Sequence, residues 1–240
     1  MLRLSFGRAV IAWLIVDACG LLAMPIASFV VRPHVMEWYQ ASANSMAPTI
    51  VAWHADVTCP HCGGAAFAGM ELPASRSFGT PETHNWAICS NCRQTSRHEV
   101  SGLALRAPDR IAVDKLAAPR RWDVVVQRAA YDPNVLHVFR LVGMPGESIE
   151  IKEGSVYANG EKLEPPPGIG LRYEMPENLP ASAVSEFQTA WELGATEVIT
   201  LGDNSRFSND SRFQGPVLFS DLVGVVRWRC WPPDRWGNVR

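Results

Sequence analysis

The longest run of apolar positions is 9–31, AVIAWLIVDACGLLAMPIASFVV, 23 residues with a single charge. As a helix it would reach roughly 35 Å, enough to cross a hydrocarbon core about 30 Å thick. This predicts a membrane anchor. The rival reading, a cleaved signal peptide, fits less well because the run is long for such a segment and Arg32 follows without a small-x-small site. Arg3 and Arg8 precede the run and Arg32 alone follows it, so the positive-inside bias puts 1–8 in the cytoplasm and the rest outside. Asp17, near the middle of the span, is read as a neutral, tolerated acid. Trp38 and Tyr39 suit the headgroup region just beyond it.

After the anchor the pattern changes to short alternating or continuous apolar segments bounded by turn residues. The chain is expected to enter sheet from Val51. Strands are then predicted over 109–116, 121–127, 135–141, 197–201 and 223–230. Residues 148–163 read as a meander with turns at Glu153-Gly154 and Asn159-Gly160. The stretch 165–193 is Pro-rich at its start, with a short helix expected across 182–193. Residues 202–215 read as a polar loop and 231–236 as a tail. Many short strands and few helices predict a mainly β, antiparallel domain.

Two cysteine pairs interrupt that pattern: Cys59-Pro60-His61-Cys62-Gly63 and, after 26 intervening residues, Cys89-Ser90-Asn91-Cys92. Four thiolates on two such turns match the tetrahedral donor set zinc prefers, so a structural zinc ribbon is expected at Cys59, Cys62, Cys89 and Cys92. Two local disulfides or a redox dithiol are the alternatives that an extracytoplasmic location allows. A redox CxxC needs no second copy, which favours zinc. Cys19 and Cys230 stand apart, and His54, His61, His84 and His98 are read as surface residues. The predicted division is therefore 1–8 cytoplasmic, 9–31 membrane, 32–58 with 93–240 as the β domain, and 59–92 as the insert.

With 240 residues, one main globular domain has room for an anchor and an insert. The net charge of −2 offers no general basic surface for nucleic acid.

The chemistry centres on 41–50, Ala-Ser-Ala-Asn-Ser-Met-Ala-Pro-Thr-Ile. Pro48 restricts its own φ and biases Ala47 toward extended backbone, so a hydroxyl at Ser45 can be held on a stiff turn. By itself the stretch also reads as a solvated turn. It is followed at long range by Phe139-Arg140-Leu141-Val142-Gly143-Met144-Pro145-Gly146 and by Gly202-Asp203-Asn204-Ser205-Arg206-Phe207-Ser208-Asn209-Asp210-Ser211-Arg212. In this order, behind a membrane segment, these stretches resemble the signature boxes of type I signal peptidases. The resemblance covers most of 36–231 apart from the insert. It implies a signal-peptidase-like antiparallel β domain behind one N-terminal transmembrane helix. It also implies a membrane-anchored serine endopeptidase that cleaves exported preproteins after small residues in an extended segment, without an organic cofactor.

The same resemblance assigns roles. Ser45 matches the nucleophile, Ser208 a serine that orients the catalytic lysine, and Asp210 and Arg212 residues that brace the site. The lysine itself, which acts as general base, is replaced by Phe139. A phenyl ring accepts no proton, and losing one member of a unit that acts together costs several orders of magnitude in rate. Ala43 stands where a Ser or Thr often joins the oxyanion hole, a donor worth about a hundredfold or more. Trp122 stands where the family's Arg-Gly-Asp-Val-Val strand has Gly, and is read as harmless. His137 is two positions from Phe139 on one strand, so its side chain shares that face at about 7 Å. Related peptidases of the endoplasmic reticulum place a histidine at the lysine's own position, so His137 is displaced and is not expected to be an efficient base. Lys115 is read as a surface or bracing charge. The expected function is signal peptide processing, with a catalytically impaired homologue that binds peptides or a partner membrane protein as the alternative. In a third reading the groove has closed over Phe139.

Overall fold

The computed structural model describes residues 24–69, 85–174 and 187–239. The predicted span 9–31 falls mostly outside these, as do Asp17, Cys19 and His84. Residues 24–34 are helical, ending in the short turns Ala27–Val31 and Arg32–His34. Among the described residues no helix is long and apolar enough to cross a membrane.

The described residues form three antiparallel sheets, so the mainly β expectation holds. The largest contains β1 (Met36–Gln40), β6 (Arg110–Asp114), β15 (Leu222–Trp231), β7 (Val124–Ala129), β8 (Asp132–Gly143), β13 (Glu197–Leu201) and β14 (Val217–Leu218) in that order, with β16 (Gly237–Asn238) pairing on β15. Its centre is apolar on consecutive positions: Val124, Val125 and Val126 are all buried, as a strand covered on both faces requires. One core cluster gathers Met46, Ile50, Val124, Val126 and Phe139, and another gathers Val125, Leu141, Val198 and Val225. The predicted strand 135–141 extends at both ends because β8 pairs β7 as a hairpin and β13 beyond it.

The second sheet is β11 (Glu161–Lys162), β10 (Ser155–Ala158), β9 (Ser148–Lys152) and β12 (Ala190–Glu192). Its two hairpin turns lie where expected, with φ of +50° and +80° at Glu153 and Gly154, and +52° and +82° at Asn159 and Gly160. Consecutive left-handed residues match the right-handed twist of the flanking strands.

Two expectations are corrected here. Of the helix predicted across 182–193, residues 182–186 lie outside the described residues, and the rest includes β12. Its exposed-buried-exposed pattern puts Trp191 into the core opposite Ile149. The tail at 231–236 turns through Pro233–Arg235 into β16, held by the ion pair of Arg235 with Asp109.

The third sheet is a meander of β2 (His54–Thr58), β3 (Ala65–Gly69), β4 (Trp86–Cys89) and β5 (Thr95–Arg97). It carries the four paired cysteines and runs beyond 59–92 in both directions. His54, read as a surface residue, is buried: its Nδ1 pairs with the Ala52 carbonyl at 2.8 Å and its ring meets Phe67 edge-on.

Candidate active site

Ser45 opens a tight turn in which the Ala47 N–H donates to the Asn44 carbonyl at 3.1 Å and the Ile50 N–H to the Met46 carbonyl at 2.9 Å. Met46, Ala47 and Ile50 are buried and Ser45 is half-buried, so the apolar neighbours anchor the turn. Asn44 stiffens its start, accepting from the Ala52 N–H at 2.8 Å. Distant residues hold the far side: Arg229 donates to the Thr49 carbonyl at 2.8 Å and Arg235 to that of Pro48 at 3.2 Å. The Ala47–Pro48 bond is cis. Among the described residues the Ser45 hydroxyl has no hydrogen-bond partner.

The 202–212 loop closes on this turn. The Asn204 N–H donates to the Ser45 carbonyl and its side-chain amide to the Asn44 carbonyl, each at 2.9 Å. Asp203 accepts from Arg140 at 2.7 and 2.6 Å and also takes the Thr49 hydroxyl. A Cβ on Gly202 would lie 2.1 Å from Ser208 Oγ and 2.7 Å from the Ser45 carbonyl oxygen. Glycine is what lets both serines approach the same spot. Asp210 accepts the Gly202 N–H at 2.8 Å and caps the short helix Ser211–Gln214 through the Arg212 N–H at 3.1 Å. Its carboxylate also pairs with the Arg212 guanidinium at 2.9 and 2.8 Å. Arg212 reaches on to the Ser205 hydroxyl and carbonyl at 2.8 and 2.7 Å. The loop is therefore internally satisfied except at two atoms: Ser208 Oγ and Asn204 Oδ1 are buried without a partner among the described residues.

Phe139 is 3% exposed and shares the cluster of Met46 and Ile50. Beside it, the His137 ring lies 5.6 Å away, centroid to centroid. His137 Nε2 pairs with the Tyr131 hydroxyl at 3.3 Å, and its buried Nδ1 has no partner among the described residues. Burial holds the imidazole below its ordinary pKa. It is thus neutral at pH 7, but directed at Tyr131. Ala43 is exposed. Lys115 pairs with Glu37 at 2.6 Å and reaches the Pro33 carbonyl at 3.3 Å, tying the segment after the helical turns to β6.

Trp122 departs from the harmless reading. Its φ is +71°, a conformation open to glycine and strained for a bulky side chain. Its carbonyl accepts from Arg140 Nη1 at 2.7 Å, which gives this backbone a place in the site's frame. Arg140, Asp203, Asn204 and Gly202 also form the site. Each lies inside one of the signature stretches, but buried pairing and close approach leave no mark on residue type alone.

On the third sheet, the four cysteine sulfurs lie within 4.8 Å of one another and are free thiols. Cys59 and Cys92 sulfurs are 3.6 Å apart and those of Cys62 and Cys89 3.5 Å. Four sulfurs around zinc at about 2.3 Å would be about 3.8 Å apart, so the cluster fits a tetrahedral ion. The turns resemble knuckles: Gly63, at φ +71°, donates to the Cys59 carbonyl, and the N–H groups of Asn91 and Cys92 point at Cys89 Sγ at 3.3 and 3.4 Å. A hydrogen bond from the Gly64 backbone draws the Cys62 thiol down to about 6, while, against a hydrogen bond from the Gln94 backbone, burial and the neighbouring thiols push Cys92 up to about 12.

Known proteins are similar to this chain in sequence. The family model "Signal peptidase, peptidase S26" covers residues 97–231, more than half of the chain. The probable signal peptidase I-1 of Synechocystis sp. is 29% identical over 56% of this chain and 68% of its own length. The signal peptidase I of Pseudomonas aeruginosa is 29% identical over 50% and 53%. That of Bacillus caldolyticus is 34% identical over 47% and 62%. The chain thus spans roughly half to two thirds of these relatives. A solved signal peptidase I from Enterococcus faecalis V583 overlaps 45% of this chain and 97% of its own at 24% identity and a TM-score of 0.33, too low to bear on the fold. With the family match running from the end of β5 through β15, the chain belongs to the signal peptidase S26 family.

Proposed function

We propose that this protein is a membrane-anchored member of the family that holds an extended segment of an exported preprotein beside Ser45 but cleaves it little or not at all. The observation that carries this reading is Phe139, 3% exposed and packed with Met46 where the resemblance calls for the proton acceptor, with the Ser208 hydroxyl left unpartnered. Without a base the Ser45 hydroxyl keeps its proton at neutral pH. The competing reading, a serine endopeptidase using His137, is disfavoured by the pairing of that imidazole with Tyr131. The anchor is the apolar run 9–31, which places the β domain on the extracytoplasmic side by its flanking charges. The bilayer and a partner membrane protein are its proposed surroundings.

The test is incubation of the full chain with a preprotein bearing a small-x-small site, beside Ser45→Ala and Phe139→Lys. Wild type should match Ser45→Ala, and Phe139→Lys should gain cleavage that depends on Ser45. Wild-type cleavage at the rate of an ordinary signal peptidase, abolished in Ser45→Ala, would establish the endopeptidase instead.

We also infer one structural zinc ion on Cys59, Cys62, Cys89 and Cys92, supported by the sulfur spacing and the paired knuckles. Elemental analysis of protein purified without chelator should find one zinc per chain. No zinc together with no free thiols would favour disulfides.

A further inference from the structure

The ribbon packs on both halves of the candidate site. From β4, Ile88 packs with Ala47 and Val51 of the Ser45 turn, and Phe67 of β3 lies against the same group. The end of β3 approaches Asn44 so closely that a Cβ on Gly69 would lie 2.9 Å from its Nδ2. Toward the other half, the Trp86 ring lies 5.8 Å from Phe207, and Arg206 donates to the Thr95 hydroxyl at 3.3 Å.

These contacts begin next to the cysteines. Ile88 precedes Cys89, and Thr95 is three positions after Cys92. The ribbon's own core is Cys59, Ala66, Ala68, Ala87 and Cys89, with Val57, Cys92 and Val100 at its margin. Alanine and cysteine side chains bury little apolar area, so this sheet depends on a cross-link for its order.

We propose that metal occupancy of the ribbon sets the order of the Ser45 turn and of the 204–208 loop, a role that rests on the zinc reading above. When the ion is lost, β4 frays, Ile88 withdraws from Ala47 and Val51, and the turn loses one wall. Arg229 and Arg235 still hold its far side, so the loosening is local.

The experiment is amide hydrogen exchange on the full-length protein, zinc-loaded, chelator-stripped and zinc-restored. Segments 44–52 and 204–208 should exchange about tenfold faster or more without zinc, with β9 and β10 unchanged and zinc restoring protection. Ile88→Ala should keep its zinc yet exchange faster in 44–52 alone, and Ile88→Val should recover most of the protection. A zinc-loaded protein in which stripping speeds 54–97 and leaves 44–52 untouched overturns the proposal, as does uniform acceleration that includes β9 and β10. Purified protein without zinc overturns the zinc reading and the proposal with it. Zinc present without effect on the turn overturns the proposal alone.

Discussion

Arg140 clamps the Asp203 carboxylate through hydrogen bonds of 2.7 and 2.6 Å, and solvent reaches neither side chain. Because Asp203 also takes the Thr49 hydroxyl, one ion pair joins β8, the 202–212 loop and the Ser45 turn. Arg140→Ala would leave a buried carboxylate without its countercharge, at a cost of about 3–5 kcal/mol. Denaturant unfolding measures it, and a loss under about 1 kcal/mol would contradict the clamp.

Gly202→Ala is expected to disturb the site by steric means alone. Its methyl would fall 2.1 Å from Ser208 Oγ, which can rotate, and 2.7 Å from the Ser45 carbonyl, which cannot. The expected loss is about 1–3 kcal/mol, with weaker binding of an extended preprotein peptide. Unchanged stability and unchanged affinity would show that the two serines are not held as described.

Phe139 fills core volume, so Phe139→Ala should cost about 3–5 kcal/mol. Phe139→Lys places an amine in the same apolar surroundings, where desolvation lowers its folded-state pKa below the usual value of about 10.4. Between those two values the unfolded chain binds more protons, so stability must rise with pH. Thermal melts of this variant from pH 7 to 10 should therefore climb relative to wild type. A flat difference would place the new side chain in solvent.

Burial depresses both His54 and His137. The unfolded chain protonates its histidines below about pH 6.5 while these two stay neutral, so their contribution is present above that pH and is lost as pH falls through it. The melting temperature should drop between pH 7 and 5, and His137→Phe should flatten part of the slope. The carboxylates of Glu37 and Glu174, held low by Lys115 and by Arg206 against the opposing effect of burial, act in a separate window at lower pH. Stabilisation on acidification through pH 6.5 would contradict this account.

How much could be read from the residues follows from the range of the forces involved. The hairpin turns at Glu153-Gly154 and Asn159-Gly160 are local φ requirements, and they came out where expected. The strand β13 is an apolar run between turn residues and was also legible. By contrast, β12 is three residues long and owes its existence to Trp191 seating beside Ile149, a tertiary contact that overrides local preference. The burial of His54 depends on Phe67 arriving across a hairpin, which residue type does not announce. At the candidate site, the boxes single out Ser45, Phe139, Ser208, Asp210 and Arg212 as expectations, and the structure brings Ser45 and Ser208 against Gly202 and Phe139 against Met46. The clamp of Arg140 on Asp203 became visible only once strands far apart in sequence were placed side by side.

The Ser45 turn also imposes an order in time. Its backbone is held by Asn204, Arg229 and Arg235, the last two reaching back across 180 and 187 positions. A growing chain presents the turn early and supplies these partners late, because contacts so distant in sequence form only after the intervening chain has been made. Until residues 229–235 have been added, Ser45 rides on a loop that lacks part of its anchorage. The candidate site is therefore completed late, and a nascent chain halted before β15 carries Ser45 without the Arg229 and Arg235 contacts that hold its turn.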